Sequence, residues 1–178
     1  AVITASTSSG AVGFRQVLPI DDKPYIYALN DSPEAVFILD MTEVVDDEYA
    51  ELVRDVQVGW LPTPVGDEKD KGERTRMSVG PGQMVLDETS NRLFVSNFNA
   101  NSISVFDLSM GPYGEEIAEI PTNGENPYAI AISPDQNYLV VSNYTGEITA
   151  ESQANTTLSV IDINPSSEQY LTLVTQVV

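Results

Sequence analysis

Gly80–Asp107 reads GPGQMVLDETSNRLFVSNFNANSISVFD, and it aligns without a gap over 28 residues with Gly13–Asp40, GFRQVLPIDDKPYIYALNDSPEAVFILD, at an offset of 67. Gly13 meets Gly80, Gln16 meets Gln83, Asn30 meets Asn97 and Asp40 meets Asp107. A third copy, NPYAIAISPDQNYLVVSN over Asn126–Asn143, aligns with Gly80–Asn97 at an offset of 46. After an insertion, TGEITAESQA over Thr145–Ala154, it resumes as NTTLSVID over Asn155–Asp162. Self-similarity at a period of this size marks a repeat architecture, in which one supersecondary unit recurs along the chain.

Each copy divides into four short apolar or β-branched runs separated by polar turns. The first runs are Gln16–Leu18, Gln83–Leu86 and Ala129–Ile132, followed by the turns DDKP, DETSN and SPDQN. The second runs, YIYAL, RLFVS and YLVVS, each close on an asparagine: Asn30, Asn97 or Asn143. AVFILD, SISVFD and LSVID form the third, and ELVRDVQV, EEIAEIP and LTLVTQVV the fourth. Such runs between Asn, Asp, Gly and Pro clusters predict strands and turns. Tyr49, Leu52, Val53 and Val56 also fall at helical spacing, but the repeat register favours a strand there.

Four strands in about 45 residues form the unit of a β-propeller blade. The predicted fold is therefore all-β, with three blades of four antiparallel strands. Residues 1–12 read as an N-terminal linker, 13–59 as blade 1 and 60–79 as a long inter-blade loop. Blade 2 spans 80–124, and blade 3 spans 126–178 with its insertion at 145–154. Closed propellers have about four to eight blades, so three form part of a larger or oligomeric ring. The expected partners are further blades of a longer chain, self-association or another protein.

The pieces Asn126-Pro127-Tyr128, Ser133-Pro134-Asp135, Val141-Ser142-Asn143-Tyr144 and Ser159-Val160-Ile161-Asp162 resemble YVTN-type β-propeller repeats of bacterial and archaeal surface and periplasmic proteins. The resemblance covers 80–178 well and 13–59 more loosely, where Tyr27-Ala28-Leu29-Asn30 stands in the tetrapeptide's place. It implies the propeller fold and an extracytoplasmic location. Propellers that act as lactonases, copper reductases or d1-haem enzymes resemble this chain in repeat only, and their metal and haem sites rely on histidines.

The chain has 178 residues, 8 Lys+Arg against 27 Asp+Glu, a net charge of −19, and neither histidine nor cysteine. Thiol nucleophiles, disulfides, imidazole acid–base chemistry and Cys or His metal sites are thereby excluded. Nucleic-acid phosphates and anionic membrane surfaces both demand clustered cations, so neither is an expected partner. No apolar run approaches the roughly 20 residues of a membrane span, which argues against membrane insertion. Neither a Gly-x-Ser-x-Gly elbow nor a phosphate-cradling glycine loop is present.

In a meandering blade, the turns after strands two and four lie at one end of the propeller. Both long insertions fall there, as do Asn30, Asn97 and Asn143. The insertion WLPTPVGDEKDKGERTRMSV carries Trp60 and four cations, Lys69, Lys71, Arg74 and Arg76. It reads either as a self-neutralising solvated loop or as a docking arm anchored by Trp60. The candidate binding residues on this loop face are thus Trp60, Lys69, Lys71, Arg74, Arg76, Asn30, Asn97, Asn143 and Tyr144. The asparagines read more simply as turn-shaping residues that bond nearby backbone, and Asp40, Asp107 and Asp162 read the same way. No cofactor is expected; calcium is the metal that Asp21-Asp22 or Asp46-Asp47-Glu48 could take, although neither has an EF-hand or RTX pattern. Asn143-Tyr144-Thr145, Asn155-Thr156-Thr157 and Asn30-Asp31-Ser32 fit the glycosylation sequon.

These features lead to an expected non-enzymatic extracytoplasmic module for protein binding or surface assembly. The alternative is a portion of a propeller enzyme, a hydrolase or a quinoprotein oxidoreductase, whose active groups lie outside the chain. A structural subunit of a surface layer or filament is the third reading.

Overall fold

A computed structural model of the chain describes residues 14–21, 23–31, 34–40, 59–61, 80–111, 114–144 and 157–177. Among these residues there are twelve strands and no helix. β1 (Phe14–Pro19), β2 (Tyr25–Asp31), β3 (Glu34–Asp40) and β4 (Gly59–Leu61) form the first sheet in that order. β5 (Pro81–Asp87), β6 (Arg92–Asn97), β7 (Ser102–Asp107) and β8 (Glu115–Pro121) form the second. β9 (Pro127–Ile132), β10 (Tyr138–Asn143), β11 (Thr157–Asp162) and β12 (Thr172–Val177) form the third. All three are four-stranded antiparallel meanders, as the repeat predicts.

Repeat columns coincide with ladder positions. Tyr25 faces Asp40 across the first sheet, Arg92 faces Asp107 across the second, and Tyr138 faces Asp162 across the third. One expectation changes. The fourth strand of blade 1 is Gly59–Leu61, paired with β3 through Phe37 and Trp60, so Trp60 lies in a strand rather than in the inter-blade loop. The 51–58 run expected to supply that strand lies outside the described residues.

The sheets pack face to face, and the middle sheet is covered on both sides. Because side chains alternate across a strand, Leu93 and Val95 join Met84 and Phe106 against Tyr27, Leu29, Val36 and Ile38 of the first sheet. Phe94 points the other way and joins Ile103, Val105 and Ile120 against Ile130, Leu139, Val141 and Ile161 of the third. This is why β6 and β7 are buried nearly throughout instead of alternating. Each such side chain contributes about 1.5–3 kcal/mol on burial. Contact between sheets is densest along their first strands, with β5 against both β1 and β9, so these strands line the inner side of the stack.

A first strand has a ladder partner on one side only, which leaves backbone groups to be satisfied across the seam. Gln16 does this for the second sheet. Its Nε2 donates to the Met84 carbonyl (2.9 Å), and its Oε1 accepts from the Met84 N–H (2.8 Å). Gln83, in the same repeat column, accepts from the Ile130 N–H of the third sheet (3.3 Å). Beside it Ser96 Oγ accepts from the Gln83 N–H (2.9 Å) and donates to the Tyr128 carbonyl (2.8 Å). Gly82 lies at this contact, where a β-carbon would stand 2.8 Å from Ser96 Oγ and 3.3 Å from the Tyr128 oxygen.

The turns use the chemistry their residues suggest. Asn91, Asn101 and Asn126 adopt positive φ, a conformation asparagine tolerates. Asp107 Oδ1 accepts from the Ser109 N–H (2.8 Å) and Asp162 Oδ1 from the Asn164 N–H (2.9 Å), the turn-shaping role expected of both.

Replacement of Gln16 by alanine strands both Met84 backbone groups at a seam, so Q16A costs about 1–3 kcal/mol in denaturant unfolding. Q83A, which removes one longer bond across its seam, costs less. Equal losses for the two variants would contradict this account of the clasp.

Candidate functional site

The three asparagines named as candidate binding residues, and read more simply as turn-shaping ones, are interior groups. Asn30, Asn97 and Asn143 are 0%, 0% and 1% exposed. Asn97 Nδ2 donates to Ser102 Oγ (3.2 Å) and Ser104 Oγ (2.9 Å), both from β7. Asn143 Nδ2 repeats the arrangement with Thr157 Oγ1 (3.1 Å) and Ser159 Oγ (2.8 Å) of β11. Ser159 Oγ in turn donates to the Thr122 carbonyl in the segment entering blade 3 (2.5 Å). Gly124 in that segment faces Asn143 so closely that a β-carbon there would overlap its side chain. The Asn97 and Asn143 amides each tie the exit of a second strand to the third, which favours the structural reading at these two positions.

Tyr144 is different: it is 46% exposed, on the backbone immediately after Asn143. Its N–H donates to the Asn126 carbonyl (3.1 Å), Asn126 Nδ2 donates to the Tyr144 carbonyl (2.9 Å), and the Asn126 N–H donates to Asn101 Oδ1 (2.8 Å). Blades 2 and 3 are thus laced together at this end beneath an exposed phenol. Lys69, Lys71, Arg74 and Arg76 lie outside the described residues, and of Trp60 only its place in β4 is described. The structure therefore brings the asparagines and Tyr144 to one end and leaves the docking arm unplaced.

A carboxylate pair went unnoticed in the sequence. Glu116 and Glu119 of β8 stand opposite Phe106 and Ser104 in the ladder, with a bulge between them that restores both to one face. Ser102 Oγ donates to Glu119 Oε1 (2.6 Å), which joins the pair to Asn97. Desolvation pushes the Glu116 carboxyl above its usual range; a hydrogen bond from Ser104 opposes this, and the Glu119 charge adds to it. Glu116 Oε1 is buried without a hydrogen-bond partner. A carboxyl that keeps its proton longer than usual is a competent acid–base group. It sits, however, on the strand farthest from the inner side.

Two further places hold polar groups. At the opposite end, a cleft of about 210 Å³ between blades 1 and 2 is lined by Ile20, Lys23, Tyr25, Tyr27, Leu86 and Leu108. Lys23 Nζ donates there to Asn91 Oδ1 (3.5 Å). On the inner strands, Arg15 and Tyr128 are exposed. They occupy one repeat column, shared with Gly82 in blade 2. The Tyr128 ring meets Phe98 edge-on at 6.3 Å. That shared column was the available signal for Arg15 and Tyr128.

Among the described residues, no group of three or more Asp, Glu, His or Cys is gathered as a metal site. Asp22 and the 46–48 acidic cluster lie outside them.

A family profile described as lactonase, 7-bladed beta-propeller, matches residues 14–173. No curated protein matches the sequence. Similar solved structures include a Bacteroides fragilis protein provisionally assigned as a 6-phosphogluconolactonase, with TM-score 0.67 and 15% identity over 94% of this chain and 42% of that one. The periplasmic gluconolactonase of Pseudomonas aeruginosa has TM-score 0.62 and 19% identity, over 93% of this chain and 41% of that one. Hydrazine synthase of Kuenenia stuttgartiensis has TM-score 0.61 and 19% identity, over 99% and 39%. The chain spans about two-fifths of the length of these structures, and at these identities they establish the shared fold.

Since folded Glu116 holds its proton more tightly than the unfolded chain does, stability falls as pH rises from the ordinary glutamate range, 4.5, through the raised value. The variant Glu116→Gln flattens that slope and raises Tm at pH 7. Thermal melts between pH 4 and 8 check this, and an unchanged slope would count against the coupled pair.

Proposed function

The chain belongs to the seven-bladed β-propeller lactonase family, and we propose on that premise that it forms part of an enzyme that opens a cyclic ester by attack of water. The family match over residues 14–173 is the observation that carries this reading. It corrects the expectation of a non-enzymatic binding or assembly module and favours the hydrolase alternative. The match supports the β-propeller part of the YVTN-type resemblance, and the family that it names is the lactonase propeller.

Neither imidazole nor thiol is required for this chemistry. A lactone is an ester under ring constraint, and its hydrolysis needs a positioned water, a base of suitable pKa and stabilisation of the developing oxyanion. Carboxylate, guanidinium and phenol can meet these needs together. In this chain the exposed polar side chains of the inner strands are Arg15 and Tyr128, which would serve as a cation and a hydrogen-bond donor toward a sugar-acid lactone. The proton-abstracting base would come from the remaining blades, since Glu116 sits on an outer strand.

Three sheets make three of seven blades, close to the 42% share of the Bacteroides fragilis chain. The proposed partners are accordingly the other blades of one ring. An extracytoplasmic location belongs to the same proposal, supported by the charge of −19 and by likeness to a gluconolactonase named as periplasmic.

The test is hydrolysis of glucono-1,5-lactone and its 6-phosphate by the full protein carrying this chain, followed by pH-stat titration against the spontaneous rate. Saturable acceleration is expected, with R15A and Y128F lowering kcat/KM by about tenfold or more, the cost of a lost charged or neutral hydrogen bond. A folded protein that leaves both lactones hydrolysing at the buffer rate overturns the reading.

A further inference from the structure

At the cleft between blades 1 and 2 the repeat departs from itself. Blade 1 contributes Ile20, Lys23 and Tyr25 to its wall, and the same columns in blade 2 hold Asp87, Ser90 and Arg92. In blade 2 these polar groups satisfy one another and their neighbours. Asp87 accepts from the Ser90 hydroxyl (2.6 Å) and the Thr89 N–H (2.9 Å), and Arg92 pairs with Asp107 (2.5 Å). Blade 1 has an aliphatic chain, an aromatic ring and a cation in their place.

The turn geometry holds that cation at the rim. The Lys23 N–H donates to the Ile20 carbonyl (3.3 Å) and the Ile20 N–H to the Tyr25 carbonyl (3.2 Å), which closes the β1–β2 turn. Across the seam Asn91 adopts positive φ; its carbonyl accepts from the Leu108 N–H (2.9 Å) and its Oδ1 from Lys23 Nζ (3.5 Å). That acceptor is neutral and the bond is long. Among the described residues no carboxylate pairs with Lys23, although the chain carries a net charge of −19. The rest of the recess is apolar, with Leu86 and Leu108 facing Ile20. Beside it stands Met110, 97% exposed between the lining residues Ser109 and Gly111. An apolar recess with one exposed cation at its edge is complementary to an apolar body that ends in one negative charge.

We propose that this cleft binds a small amphipathic carboxylate, with its apolar body against Ile20, Leu86 and Leu108 and its carboxylate on Lys23. The recess of about 210 Å³ is smaller than the roughly 300–1,000 Å³ of drug-sized sites, which limits the occupant to about ten non-hydrogen atoms. The site is separate from the groups assigned to the lactone. Arg15 precedes Ile20 by five residues, about 16 Å of extended chain, and lies toward the other end of the blade.

Isothermal titration of the full protein carrying this chain tests the site with three probes: 3-phenylpropanoate, the neutral 3-phenylpropan-1-ol and the cationic 3-phenylpropylamine. The carboxylate is expected to saturate at about 0.1–2 mM, ordinary for a ligand of this size. It binds about fivefold or more tighter than the alcohol, the share of a charged hydrogen bond that survives at an exposed rim. The overall field of a chain with charge −19 favours the amine, so the carboxylate leads only if a cation stands at the site itself. Lys23→Met abolishes the preference for carboxylate over alcohol, and Lys23→Arg keeps it. Methyl resonances of Leu86 and Leu108, assigned by Leu→Ile substitution, move with the same midpoint and place the ligand in the cleft. Equal affinity for carboxylate and alcohol, tighter binding of the amine, or saturation that leaves both leucines unmoved overturns the proposal. Should K23M fail to fold, the three probes on the unsubstituted protein decide alone. Lactone turnover enters none of these readouts, so this site and the catalytic reading stand or fall separately.

Discussion

A four-stranded sheet with apolar residues on both faces cannot exist alone in water, and that constraint organises this protein. Blade 2 satisfies it completely. Leu93 and Val95 are buried against blade 1, and Phe94, Ile103 and Val105 against blade 3. Blade 3 leaves Leu158 exposed on its far face, and on the far face of blade 1 Val17 is exposed while Ala28 and Phe37 are buried. Stability in such a stack is approximately a sum over blades and seams, so each seam is a distinct energetic unit with its own polar closure. Gln16 closes the first with two backbone bonds, and Gln83 with Ser96 closes the second.

The same logic separates structure from function in the polar residues. Buried amides and hydroxyls are tolerated only when they are hydrogen-bonded. The amide nitrogens of Asn97 and Asn143 meet that demand through the serines and threonine of the adjacent strand, while their Oδ1 atoms are buried without a hydrogen-bond partner. Positions that the repeat leaves variable behave differently. In the column that holds Arg15, Gly82 and Tyr128 the side chain changes from blade to blade, and at Tyr128 the backbone carbonyl accepts from Ser96 across the seam. A propeller can vary such positions without disturbing the sheets, which is how one fold carries different chemistries.

Glu116 and Glu119 show a further consequence of seam packing. They lie beside the buried Asn97, Ser102 and Ser104, with Glu119 exposed and Glu116 half-buried, where desolvation of Glu116 opposes its ionisation. The bulge between Val105 and Phe106 brings the two carboxylates to one face. An unbulged strand would have put residues three apart on opposite faces, which is why the EEIAE segment did not suggest a pair.

Much of the architecture was legible in the residues themselves. Period-two apolar runs and Asn, Asp and Pro turns are local properties, and their recurrence marked all three sheets and nearly every strand. The exception, β4, was displaced to Gly59–Leu61 because one short strand among several apolar segments is chosen by pairing with Val36–Ile38, a long-range event. Tertiary structure alone decided that the three asparagines are interior, that Gln16 and Gln83 reach across seams, and that identical columns are covered in one blade and open in the next. Burial and cross-seam bonding depend on what lies beyond a strand's own sheet, and no local pattern of residues contains its neighbour.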